Sequence, residues 1–133
     1  MSKYAYAAVF TPAEEGGFTV NFPDLPNCFT DGDTIAEALE MAKDVLCLTL
    51  YGLEEDRKDI PQPTELAQIH TEQGEFVSLV ACDTLEYRRF FDKKAVKKTL
   101  TIPNWLNNIA ERNEVNFSAV LQEALIEKLH LNP

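Results

Sequence analysis

Apolar and polar residues alternate along GFTVNF, residues 17–22, so that Phe18, Val20 and Phe22 share one face. That is the period of a half-buried strand. The preceding run from Lys3 to Phe10 is rich in Tyr, Ala, Val and Phe, and TPAEEGG separates the two with a Pro and a Gly pair. The pattern predicts a β-hairpin. In PDLPNCFTDGDT the two prolines stop the second strand or hold it at an edge, and Cys28–Thr30 can add a short third strand. At Thr34 the period changes. Ile35, Ala38, Leu39, Ala42, Leu46 and Leu53 recur at helical spacing, and Thr34 with Glu37 fits a capping box. The run VLCLTLY, residues 45–51, also fits a strand. The capped pattern enters it unbroken, so a helix is expected there. Charged and Pro-rich residues then mark a loop through Pro63, and EFVSLVAC, residues 75–82, reads as another strand. Residues 1–82 therefore predict an α+β unit of order β-β-β-α-β, an antiparallel sheet with a helix on one face.

Residues 83–94, DTLEYRRFFDKK, read as a linker or a short helix. Beyond them, residues 95–133 form a second pattern. On a strand from Val96 to Ile102, Val96, Lys98, Leu100 and Ile102 point one way, and Lys97, Thr99 and Thr101 the other. Pro103 suits the first position of a helix, whose apolar face is Trp105, Leu106, Ile109 and Ala110. Asn116 is a good N-cap for a last helix bearing Phe117, Val120, Leu121, Ala124, Leu125 and Leu129. One strand and two helices, about forty residues, are too few for an independent core and leave a strand edge unpaired. A two-fold dimer solves both problems. The strands pair as an antiparallel ribbon, and Leu100, Ile102, Trp105, Leu121 and Leu125 become the dimer core.

Charge sharpens this division. The chain of 133 residues has a net charge of −10. Residues 93–133 carry six Lys/Arg and four Asp/Glu, a balance of +2, whereas residues 1–92 carry six and eighteen, a balance of −12. An acidic front repels nucleic acid and attracts basic proteins, and a basic back suits a different partner. A two-stranded ribbon fits the DNA major groove, where Lys97, Thr99 and Thr101 would reach base edges. Asn116 and Ser118 place polar groups at a helix N-terminus, a natural phosphate site. Lys93, Lys94 and Lys98 add phosphate contacts or steering charge.

At these residues, VKKTLTIPNWLNNIAERNEVNFSAVLQEAL resembles a ribbon-helix-helix DNA-binding domain. Lys97, Thr99 and Thr101 match its groove-facing positions, and Asn116 and Ser118 its phosphate-anchoring turn. The front stretch GGFTVNFPDLPNCFTDGDTIAEALEMAKDVL resembles the N-terminal domain of HicB antitoxins, with Pro-Asp-Leu-Pro-Asn-Cys at residues 23–28 and Thr-Asp-Gly-Asp-Thr at 30–34. Asn27 replaces the family's usual Gly, and Asn tolerates left-handed backbone angles. The resemblance implies a partial ribonuclease H fold without nuclease activity. It also implies a small basic HicA-like toxin as partner, and repression of the protein's own operon through operator DNA. A toxin contact is placed at Phe22, Pro23, Asp24 and Leu25. A second interface between front units would make tetramers.

Other chemistries fit less well. A two-metal nuclease needs carboxylates converging from several elements. Asp24, Asp31, Asp33, Glu37 and Glu40 lie in turns or on one helix, so neither catalysis nor a metal is expected. Cys28, Cys47 and Cys82 are widely spaced and unpaired, and His70 and His130 lie far from them. Buried reduced thiols are expected, not a zinc site. No cofactor is called for. No apolar run is long enough to span a membrane and the N-terminus is a poor signal peptide, so the expected location is the cytoplasm. The alternative from another class is a stand-alone ribbon-helix-helix regulator, whose front domain binds a ligand or oligomerises.

Overall fold

Strand β1, Lys3–Pro12, puts Tyr6, Ala8 and Phe10 on one face, and all three are buried in the principal core. A computed structural model describes residues 2–131. Strand β1 turns through Ala13–Gly17 into β2, Phe18–Asn21, and the turn closes with hydrogen bonds from Ala13 N to Gly17 O and from Gly16 N to Ala13 O. Gly16 and Gly17 both have positive φ, and a Cβ on Gly17 would sit 2.6 Å from the carbonyl oxygen of Gly32. Only glycine fits there. Strand β3, Phe29–Gly32, pairs with β2, and β4, Phe76–Asp83, pairs with β1. The sheet is antiparallel throughout, in the order β3-β2-β1-β4. The expected β-β-β-α-β order is the one found.

Helix α1, Ile35–Glu55, covers one face of this sheet. The Thr34 side chain accepts from Glu37 N at 3.1 Å, so the helix starts where the capping pattern put it. Val45–Tyr51 is helical, and Ala38, Ala42, Leu46 and Leu50 form the buried stripe. The two small alanines and Gly32 let β3 approach the first turn closely, since a Cβ at Gly32 would overlap the backbone nitrogen of Ala38. Between β2 and β3 the chain folds back, with Phe22 N donating to Cys28 O and Leu25 N to Phe22 O. Asn27 takes a φ of 58°, the left-handed conformation expected of it. The three cysteines are buried and unpaired, and burial pushes each thiol above its ordinary range.

Residues 83–94 resolve as a helix, α2, Thr84–Phe91, capped by Asp83. It belongs with the front of the chain, which divides into units Met1–Lys94 and Ala95–Pro133. It is anchored by Tyr87, which packs on the core with its ring 5.4 Å from that of Tyr51, and by an ion-pair cluster. Helix α1 ends in Glu54 and Glu55 with no basic residue in its last turn, an unfavourable charge at the negative end of the helix dipole. Arg88 of α2 ion-pairs with both carboxylates and lies over the ring of Tyr51, 4.6 Å from its centroid. Glu54 also accepts from Tyr4 Oη at 2.7 Å and from Thr84 Oγ1 at 2.9 Å. Burial raises the Glu54 pKa, but these three donors outweigh it and hold the carboxyl below its ordinary value. Burial, then the bond to Glu54, lifts the Tyr4 hydroxyl to about 12.

Both shifts predict how stability varies with pH. The depressed Glu54 contributes stability above its ordinary pKa of 4.5 and loses it as pH falls further. The raised Tyr4 contributes below pH 10 and loses it as pH rises toward 12. Chemical denaturation of the front unit should therefore give a plateau between these limits. Glu54→Gln should lower the plateau and flatten its acid limb.

The second unit contains α3, Asn104–Arg112, and α4, Phe117–Lys128. Helix α3 starts one residue later than the sequence suggested, with Pro103 at the cap and its carbonyl accepting from Asn107 N. The turn between the helices runs through Glu114 at a φ of 52°, and Val115 N donates to Ala110 O. The expected strand from Val96 to Ile102 is not present, and residues 92–103 carry no helix or strand. A strand is defined by the ladder it shares, and one chain offers this segment no partner.

Candidate nucleic-acid interface

No residue between 95 and 131 is buried. The helices of this unit therefore have caps and turns but no core. Trp105 is 65% exposed, Leu100 58% and Leu125 48%, while Ile102 is exposed and Leu121 half-buried. A tryptophan left this open in an ordered unit marks a surface built to be covered. Helix α4 is apolar over much of its circumference: Phe117, Leu121, Leu125 and Leu129 form one stripe at four-residue spacing, with Val120 on one side of it and Ile126 on the other. A helix apolar on several sides needs neighbours on each of them.

The polar candidates are equally open. Lys97, Thr99 and Thr101 are exposed, as are Lys94 and Lys98. Lys93 lies 5.5 Å from the ring centroid of Phe90. Asn116 caps α4 by accepting from Ala119 N at 3.1 Å, and Ser118 accepts from Gln122 Nε2 at 3.1 Å. Two of the first-turn N–H groups of α4 thus stay clear of a side-chain cap, at the end where anions bind favourably. The segment gathers four Lys from 93 to 98 with two Thr close after them, and no carboxylate lies between Lys93 and Ala110.

The candidate contact at residues 22–25 is mostly enclosed in the single chain. Phe22 and Leu25 are 1% and 2% exposed and belong to the core of the front unit. They fill the space under the returning chain. Asp24 is half-buried and holds the loop after α1, accepting from Thr64 N at 2.9 Å and from Thr64 Oγ1 at 2.5 Å. Only Pro23 is exposed. The other acidic candidates remain apart. Asp31 lies on β3, and Asp33, Glu37 and Glu40 are exposed. Among the described residues no three of His, Cys, Asp and Glu gather where they could hold a metal. No helix there is long and apolar enough to cross a membrane.

The Glu54–Tyr4–Thr84–Arg88 cluster was invisible to sequence reasoning, because its members are brought together only by the fold. The apolar reach of β1 was visible. AYAAVF, residues 5–10, is apolar at every position, which is the mark of a strand covered on both faces.

The fold and this surface define a two-part class: an acidic α+β unit that ends in a Lys pair, followed by a coreless helical unit of balanced charge. Comparison with known proteins gives the family. Residues 6–124 match the family described as HicB_like antitoxin of bacterial toxin-antitoxin system, and the chain belongs to it. It is 41% identical over 90 residues to Antitoxin HicB 1 of Photorhabdus laumondii, covering 67% of this chain and 56% of that one. It is 46% identical over 61 residues to Antitoxin HicB of Escherichia coli K12, covering 46% and 44%. The match thus spans about half the length of each of these two relatives. Among solved structures, a toxin–antitoxin complex from Streptococcus pneumoniae aligns over 95% of this chain and 99% of its own, with a TM-score of 0.60 and 28% identity.

Proposed function

We propose that this protein is an antitoxin and autorepressor without catalytic activity. Its front unit binds and neutralises a HicA-type mRNA-cleaving toxin. Its back unit pairs with a second copy as a ribbon-helix-helix and reads operator DNA. The observation that carries the DNA-binding half is that Leu100, Ile102, Trp105 and Leu125, which a ribbon dimer would enclose, are exposed and Leu121 is only half-buried. Pairing two copies would give Val96–Ile102 its missing ladder and cover Leu100, Ile102, Trp105, Leu121 and Leu125. Lys97, Thr99 and Thr101 would then stand on the opposite face, doubled by symmetry, with Asn116 and Ser118 beside the flanking phosphates. The toxin-binding half rests on family membership and on the −12 balance of residues 1–92, which suits a basic, RNA-seeking partner.

The test is co-purification of the chain with the product of the adjacent reading frame, followed by gel shift on the upstream DNA. Both should succeed, and operator affinity should fall steeply with added salt, since the positive charge is concentrated on the ribbon. A gel shift without a co-purifying partner would favour a stand-alone regulator. Metal-dependent RNA cleavage by the purified chain would overturn both readings.

A further inference from the structure

Helix α1 covers one face of the front sheet; on the other Ala7 is buried, Val9 and Val77 are half-buried, and Ala5, Asn21, Phe29, Leu79 and Ala81 are exposed. The register fixes which residues stand on it. Val20 and Phe10 are opposite each other on the covered side, so the neighbouring pair Val9 and Asn21 faces outward. One outward row runs Phe29, Asn21, Val9, Val77 across all four strands. Beside it lie the pairs Ala7–Leu79 and Ala5–Ala81. On the other flank the row is Asp31, Thr19, Thr11, with Glu75 beyond, whose carboxylate accepts from Thr11 Oγ1 at 2.6 Å. Phe29 is 65% exposed and Leu79 is 54% exposed.

We infer that this open sheet face is the surface on which the front unit seats its basic protein partner; the inference rests on the antitoxin reading above. Three observations support it. The continuous apolar sequence of β1 is that of a strand covered on both sides, yet only one side has a helix. The face has an apolar centre, floored by alanines and bounded by Phe29 and Leu79, with Asp31 and Glu75 along one side. An apolar centre with a charged rim is the anatomy of a specific interface. The charge also selects the occupant. A second front unit would bring the same carboxylates and a balance of −10 against −10, from eight Lys/Arg and eighteen Asp/Glu in residues 1–94, whereas a cationic protein surface complements both. The interface would block the partner by burying its cationic surface against the sheet.

The test uses the full chain and the purified product of the adjacent reading frame. Leu79→Arg and Phe29→Arg should each weaken binding by about 30-fold or more, as expected for loss of a central anchor. Leu48→Arg, on the exposed side of α1, should change it by less than about threefold. A footprint covers the case in which an arginine disturbs folding. The native cysteines are buried, so Asn21→Cys should react with a maleimide in the free protein and be protected in the complex. Leu48→Cys should react in both. Binding by the wild type with Asn21→Cys unprotected, or lost through Leu48→Arg alone, would overturn the assignment. So would Asn21→Cys already blocked in the free protein, which would mean that a second copy or another part of this chain covers the face. If the wild type itself fails to bind the neighbouring product, the antitoxin reading fails first and this one with it.

Discussion

The double variant Lys97→Ala, Thr99→Ala should lose operator affinity by about a hundredfold or more while neutralising the toxin as well as the wild type does. Each base contact in a groove contributes roughly 1–3 kcal/mol and each phosphate contact steepens the salt dependence. A two-fold ribbon removes each contact twice. Both side chains are exposed, so the fold should not register the change. Gel shift titrations at two salt concentrations measure the loss. A flatter salt slope in the variant would identify Lys97 as a phosphate contact, while relaxed sequence preference would identify a base contact. Operator binding within about threefold of wild type would refute the groove assignment.

The second large effect falls on assembly. Trp105→Ala should raise the dimer dissociation constant by at least about a thousandfold. Truncating a buried tryptophan costs about 3–5 kcal/mol, and a two-fold interface contains two of them. In the isolated chain Trp105 is 65% exposed, so the same change should leave the front unit's unfolding transition untouched. Sedimentation at falling concentration, beside thermal unfolding followed at a front-unit probe, separates the two. A variant that stays dimeric at the wild-type concentration would remove Trp105 from the interface. Operator binding should disappear with the dimer, since a single chain offers half a ribbon.

What the sequence disclosed and what it concealed divide along a physical line. Short-range signals were readable. Thr34 and Glu37 announced the start of α1, Asn27 its left-handed turn, and the unbroken period through Val45–Tyr51 a helix where the composition also fitted a strand. Signals that depend on distant partners were not. Residues 83–94 could be a linker or a helix until Arg88 met Glu54 and Glu55, more than thirty positions upstream. The full burial of Leu25 was not readable, because it comes from a chain reversal completed only at Cys28. The segment Val96–Ile102 was readable as a strand by alternation alone, but a strand's existence is a property of two segments, and this chain contains one. The open sheet face belongs with these. Its residues are dispersed from Ala5 to Ala81 and become one surface only through the register.

The absence of a core in residues 95–131 has a consequence for dosage. On the reading proposed above, the front unit is complete in one chain and acts at whatever concentration the chain reaches. The DNA-reading unit is completed by a collision, so its abundance follows the square of the free chain concentration when chains are scarce. Growing scarcity of the protein would then relieve repression before it relieves neutralisation. New synthesis would begin while the remaining single chains could still hold the toxin in check.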